Sequence, residues 1–282
     1  MRWCTAAVDW GKMARIVVIT HKFDKFDRRA YILTGVLKEI ERRGVEIQIA
    51  RGPKRFVPAD LAILHVDCTE IDPNYRTLAR RYPRAVNLSV GNIGKRAVSG
   101  AALSKDSAWD GPVIVKTHLN AMGTPELFHN QVATLRRRPL PHPDVTSLVD
   151  YAVHERVTDV PESTWRDQRL IVEKFIPESD PRGFAMRTWV FMGSRERCTR
   201  NIAERPMIKA ADVIAREPVE VPEDLRRERS RLGFDYGKFD FIVHDGKAVL
   251  LDANPTPTAP DNLSEDMKRG ANDLAEGLLA FL

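Results

Sequence analysis

A chain of 282 residues with 43% hydrophobic and 29% charged residues has the length for two compact domains or three small ones, and the composition of a globular protein. No apolar run approaches the roughly 18–20 residues of a membrane span and no signal-type apolar stretch opens the chain, so a cytoplasmic protein without a membrane partner is expected. The net charge of +5 is spread along the chain; it reads as a solvated arginine surface and suits an anionic ligand, whereas nucleic acid is not expected because aromatic-and-basic stacking motifs are lacking.

Residues 1–12 read as a leader, with Met13 as an alternative start. Arg15–Thr20 is a short β-branched strand, followed by the loop His21–Asp27. An amphipathic helix over residues 28–43 carries Ile32, Leu33, Val36, Leu37 and Ile40 at helical spacing, and Gly44 ends it. Val45–Ala50 and Ala59–Val66 read as strands, Tyr75–Tyr82 as a helix and Arg84–Leu88 as a strand. This order describes a small open α/β domain over residues 13–90. Without Gly-x-Gly-x-x-Gly after its first strand, dinucleotide binding is not expected there. The loop His21–Asp27 follows the first strand of an α/β sheet, where ligands gather, and reads as an acceptor contact or a surface turn.

Gly91-Asn-Ile-Gly-Lys95 leads into a helix or turn reaching about residue 104, and Gly111-Pro112 introduces a strand, Val113–Lys116. The Pro-rich, basic run Leu135–Pro143 reads as loop within the poorly patterned stretch 117–165. Leu170–Phe175 is a strand. Arg187–Met192 is another, with Arg187, Trp189 and Phe191 on one side; Arg200, Asn201 and Lys209 lie beyond it. Ser264 caps a closing helix whose stripe is Met267, Ala271, Leu274 and Leu278. Three scattered cysteines and seven scattered histidines without a His-x-x-x-His pair give no zinc signature.

The segment Tyr236–Pro255 reads as two strands about a turn at Asp245-Gly246. Alternation puts Phe239, Phe241 and Val243 on one face and Asp240 on the other. In the second strand it pairs Val249 with Leu251, and Asp252 with Asn254. A two-residue turn sets Asp240 opposite Leu251 and separates the acids. An odd loop such as Asp245–Lys247 sets Asp240 opposite Asp252, and the hydrophobic pattern selects this register because a slip by one buries carboxylates. Two carboxylates and an amide oxygen on one patch suit a hard cation such as Mg²⁺; a plain hairpin with a wet polar face accounts for the pattern equally.

The run Asp240-Phe241 with Asp252-Ala-Asn-Pro255 resembles the C-terminal signature of the ATP-grasp superfamily, which includes D-alanine–D-alanine ligase, glutathione synthetase and ribosomal-protein glutamate ligases. Asp252 stands where the family usually has Glu. Gly111–Lys116 is similar to the family's strand ending in a phosphate-binding lysine, and Val172-Glu-Lys-Phe-Ile176 to its adenine-binding connection. The resemblance implies an α/β (α+β) ATP-grasp fold: the domain at 13–90, a central subdomain at 91–180 and a C-terminal subdomain at 181–282. It implies ATP and Mg²⁺ (or Mn²⁺ in its place), the metal held by Asp240, Asp252 and Asn254. ATP would be held by Lys95, Lys116, Glu173, Lys174, Phe175 and Ile176, and its ribose by Glu178 or Asp180. Lys105 competes with Lys95 as the first phosphate lysine. The family's flexible lid maps onto Thr117–Gly123, which offers a single glycine. Lys116 and Arg187 are the implied catalytic residues, with Arg200, Asn201 and Lys209 as candidates for the same cavity.

The implied reaction is ligation of a small-molecule or peptide carboxylate to an amine through an acyl phosphate, releasing ADP and phosphate. A kinase on the same fold, with a hydroxyl acceptor, and a non-catalytic nucleotide-binding protein are the alternatives. A homodimer fits the family's habit.

Overall fold

β1 (Arg15–Thr20) is buried along all but its first residue, as befits a parallel strand covered on both faces. The computed structural model describes residues 13–26, 31–145, 147, 150–260 and 264–282; the leader at 1–12 and the expected start of the first helix lie outside them. Ile16 and Val18 pack against Leu33, Val36, Leu37 and Ile40 of α1 (Ile32–Arg42), which the left-handed Gly44 terminates. On the opposite face Val17 and Ile19 share a core with Tyr75 and Leu78 of α2 (Pro73–Ala79). With β2 (Glu46–Arg51), β3 (Leu61–His65) and β4 (Arg84–Val86), β1 makes a parallel sheet of order β2-β1-β3-β4. Helix α2 starts two residues earlier than its apolar pattern suggests, because Asp72 caps it by accepting from Asn74 N and Pro73 suits the first turn.

The middle of the chain supplies α3 (Lys95–Val98), β5 (Val113–Thr117), α4 (Thr124–Leu135), β6 (Ala152–His154), α5 (Glu162–Arg166) and β7 (Leu170–Lys174). The three strands form an antiparallel sheet of order β6-β5-β7. A third sheet follows: β8 (Glu178–Asp180), β9 (Gly183–Met192), β10 (Arg195–Ala203), β11 (Val213–Pro218), β12 (Tyr236–His244) and β13 (Lys247–Asn254), in the order β11-β10-β9-β12-β13 with β8 on β9. α6 (Glu223–Leu232) covers one face, where Trp189, Phe191, Phe239 and Phe241 pack with Leu225. α7 (Glu265–Leu279) returns to pack on α1, sharing a core with Met192 and Tyr236. Ser264 caps it as expected, by accepting from Met267 N, but Met267 is exposed and the buried stripe is Gly270, Ala271, Leu274, Ala275, Gly277 and Leu278. No helix among the described residues is long and apolar enough to cross a membrane.

The hairpin reaches its register by a route other than the expected odd loop. The turn is Asp245-Gly246 alone, both residues at positive φ, so His244 faces Lys247 and Phe241 faces Leu250. Leu251 is then bulged out, and Asp240 falls opposite Asp252. Asp-Gly favours the two-residue turn, which moves the register change into a bulge beside the acids. The bulge also corrects the buried face: Leu250 and Ala253 join the aromatic core, while Val249 and Leu251 are partly buried.

Candidate active site

Strand alternation builds an acidic patch on the face of the third sheet opposite its aromatic core. Asp240 pairs with Asp252 on β13 and with Thr188 on β9. Thr188 Oγ1 donates to Asp240 Oδ1 at 2.9 Å, and Asn201 Nδ2 donates to Thr188 Oγ1 at 3.1 Å. Lys238, two residues along the same face, places its ammonium 2.7 Å from Asp240 Oδ2. The neighbouring Asp240 charge holds the Lys238 ammonium above the ordinary lysine range, against the opposing effect of burial. Asp252 Oδ1 is buried without a hydrogen-bond partner, and the Lys95 ammonium lies 3.5 Å away.

Lys95 opens α3 and is 4% exposed, its Nζ also donating to Leu119 O at 2.8 Å. The loop before α3 can pass close to the His118 imidazole because residue 94 is glycine: a Cβ there would lie 2.1 Å from His118 Cε1. Lys105 is exposed and pairs with Glu162, so of the two candidate lysines Lys95 is the one beside the acids. On the second sheet Lys116 pairs with Glu173, which is fully buried. Tyr151 faces the same region: burial pushes its phenol up, Lys116 opposes this, and Asp252 and Glu173 add to it.

Several expected residues are otherwise engaged. Asn254 Oδ1 accepts from Thr256 N at 2.8 Å and from Thr256 Oγ1 at 3.1 Å, closing a turn at the end of β13. Glu173 is turned to Lys116. The N–H groups of Lys174 and Phe175 donate to Ala101 O and Pro112 O. Arg187 lies on the aromatic face, opposite Phe241 across the sheet. It pairs with Glu178, which also binds Arg200, while Asp180 binds Arg182 and Arg200. Burial alone would raise Glu178, but Arg187 and Arg200 hold it below the usual range; Arg182, then Arg200, hold Asp180 far below it. Arg187 is therefore corrected out of the acidic patch, because residues 187 and 188 of one strand point to opposite faces. Lys209 is exposed in the loop before β11, and among the three candidates beyond β9 only Asn201 reaches the patch.

The segment expected to form a lid turns tightly. Ala121, Met122 and Gly123 have φ of 44°, 60° and 80° before α4 begins at Thr124.

Lys238, Thr188 and Tyr151 were not expected from the sequence. Lys238 was findable, since period-two alternation from Asp240 places it on the same face. Tyr151 lies in a segment without pattern and gave no signal.

No family model and no curated protein matches the sequence. Among solved structures, the chain is similar to an ATP-grasp RimK domain protein from Sphaerobacter thermophilus DSM 20745, with a TM-score of 0.53 at 14% identity over 94% of this chain and 100% of that one. It is equally similar to the ATP-grasp ligase PsnB complexed with minimal precursor, at a TM-score of 0.53 and 12% identity over 95% and 100% of the two chains. D-alanine–D-alanine ligase from Bacillus anthracis complexed with ATP follows, at 0.50 and 15% identity over 96% and 97%.

Proposed function

We propose that this chain, whose fold is the ATP-grasp fold, is an ATP- and Mg²⁺-dependent ligase that joins a carboxylate to an amine through an acyl phosphate. The observation that carries the reading is the cross-strand pairing of Asp240 with Asp252, with Asp252 Oδ1 lacking a hydrogen-bond donor and Lys95 beside it. The donor set fits Mg²⁺. Asp240 and Asp252 supply carboxylate oxygens with lone pairs beyond those already used, and Asn254 would add its amide oxygen on releasing the bonds it accepts from Thr256. When bound there, Mg²⁺ neutralises phosphate charge and orients the phosphates. Three similar structures support the ligase reading: all are of ATP-grasp proteins or ligases, and one carries ATP.

The chain's own part is positioning and charge compensation. Thr188 and Asn201 fix the Asp240 carboxylate, and Lys238 offsets its charge. Lys95 and Lys116 present ammonium groups to phosphate oxygens, Lys116 leaving Glu173 to do so. A substrate carboxylate oxygen attacks the γ-phosphorus, the bond to the ADP oxygen breaks, and an amine then displaces phosphate from the acyl carbon while losing a proton. Substrates are small-molecule or peptide carboxylates and amines, and the protein acts in the cytoplasm.

Calorimetry with a non-hydrolysable ATP analogue tests this. Binding should require Mg²⁺ and should be lost in Asp252→Ala and Asp240→Ala. Hydroxylamine should trap the acyl phosphate during turnover with a suitable acid. A folded wild type that binds no nucleotide in the presence of Mg²⁺ overturns the reading.

A further inference from the structure

Three of the seven histidines converge outside the acidic patch, although they lie far apart in sequence. His21 follows β1, His129 lies in the middle of α4, and His142 sits in the loop after α4. One nitrogen from each lies within 4.8 Å of the other two. The His21 and His129 rings stack with centroids 3.6 Å apart, and His142 stacks on His129 at 5.6 Å. We propose that His21, His129 and His142 form a binding site for one Zn²⁺ ion that ties the loop after β1 to α4.

The chemistry of the cluster selects the ion. The cluster among the described residues is three imidazoles, a donor set that suits zinc and its neighbours in the transition series, whereas Mg²⁺ and Ca²⁺ want oxygen. Imidazole must be neutral to ligate, and the surroundings of His21 and His142 favour that form. Burial drives His21 down to about 3, with His142 and then Lys22 adding to it. Burial, then Lys22, also lowers His142. Lys22 is the charged group acting on both rings, and it is exposed, where solvent screens its repulsion of a dication.

The scaffold positions the third ligand. Asn130, next to His129, donates to His142 O at 2.7 Å and accepts from His142 N at 3.1 Å, so its side chain fixes the backbone of His142 in both directions. His142 Nε2 is buried and has no hydrogen-bond partner. His21 Nδ1 accepts a long bond, 3.3 Å, from Phe23 N, which a metal bound at that nitrogen would displace. Tetrahedral zinc with bonds of about 2.0–2.1 Å needs ligand nitrogens about 3.4 Å apart, which side-chain rotation supplies from the present spacing. Three protein ligands leave a fourth position for water. A metal here joins the first sheet to the helix that follows the left-handed turn Ala121–Gly123, and so fixes that turn relative to Lys95.

The test uses the full-length protein, stripped with chelator and titrated with ZnCl₂ in excess Mg²⁺. One Zn²⁺ per chain should bind, and Co²⁺ in its place should give the intense visible absorption of a tetrahedral site. His142→Ala and His21→Asn should each weaken Zn²⁺ binding by more than about tenfold, with circular dichroism showing both folded. His154→Ala and His244→Ala should leave it unchanged. Absence of saturable binding by the wild type, or equal affinity in folded His142→Ala and His21→Asn, overturns the proposal. Nucleotide binding is scored separately, so the zinc result stands or falls independently of the ligase reading.

Discussion

Lys116 and Glu173 face each other across β5 and β7, the carboxylate fully buried and the ammonium nearly so. Removing one partner of such a pair strands a charge in low dielectric, which costs about 3–5 kcal/mol, whereas replacing both with apolar groups is often neutral. Lys116→Met should therefore lower the urea midpoint strongly, and Lys116→Met with Glu173→Leu should recover most of the loss. If the single and double variants are equally unstable, the pair is not what holds these strands. At this scale the sequence was uneven in what it disclosed. Asp240 and Asp252 were legible as neighbours because alternation and the hydrophobic register bring them together; Lys95 and Lys105 stayed alternatives until Lys95 was found beside Asp252, and Lys238, though alternation implies it, was not expected. The partner of Glu173 was not legible: whether its side chain meets a ligand or Lys116 depends on the antiparallel pairing of β5 with β7. The side of its strand that Arg187 shares with Trp189 and Phe191 is the one that enters the aromatic core, away from Asp240.

Elements were legible where their period was unmixed. β1, β5, β7 and the hairpin β12–β13 appear within a residue or two of expectation, whereas β10, β11 and α6 carry so many charged residues on their exposed faces that no apolar pattern survives. The packing of α7 rests on a feature that periodicity does not register. A Cβ on Gly277 would lie 2.0 Å from Met192 O, so the helix approaches β9 at backbone distance. Backbone cannot swing aside as a side chain can, and Gly277→Ala should push α7 off the sheet at about 1–3 kcal/mol, the range of overpacked cores. Gly270→Ala on the same helix meets chiefly the Arg197 guanidinium, the movable end of a long side chain, and should be close to neutral. Thermal denaturation of the two variants separates them; equal melting temperatures would mean that α7 has slack against β9.

At the scale of the whole molecule, a buried amide bridges the first and third sheets beside the core they share. Asn87 accepts from Asp235 N and Tyr236 N, donates to Tyr236 O at 2.9 Å, and gives its own N–H to Asp235 Oδ2 at 2.7 Å. It does so at a φ of 63°. Asn87→Gly keeps that backbone and removes only the side chain, leaving buried groups unpaired at roughly 1–3 kcal/mol each. Asn87→Ala should lose about 1 kcal/mol more, for the left-handed conformation, and urea denaturation should rank wild type above Gly above Ala. No pattern in the sequence marks Asn87, because its partners lie in a strand far along the chain. The same burial makes global stability depend on pH. His65 is fully buried at the end of β3, edge-on to Phe26 and Tyr31, and desolvation drives its imidazole from 6.5 down to about 3. Between those values the unfolded chain binds a proton that the folded chain refuses. Stability from this group is therefore complete above pH 6.5 and is lost as pH falls toward 3, by up to about 1.4 kcal/mol per unit. In chelator, urea midpoints should fall from pH 7 to pH 5, before the arginine-bound carboxylates begin to protonate. His65→Phe, which fills the site without a titrating group, should fall less over the same interval; equal slopes in variant and wild type would assign the pH dependence to other histidines.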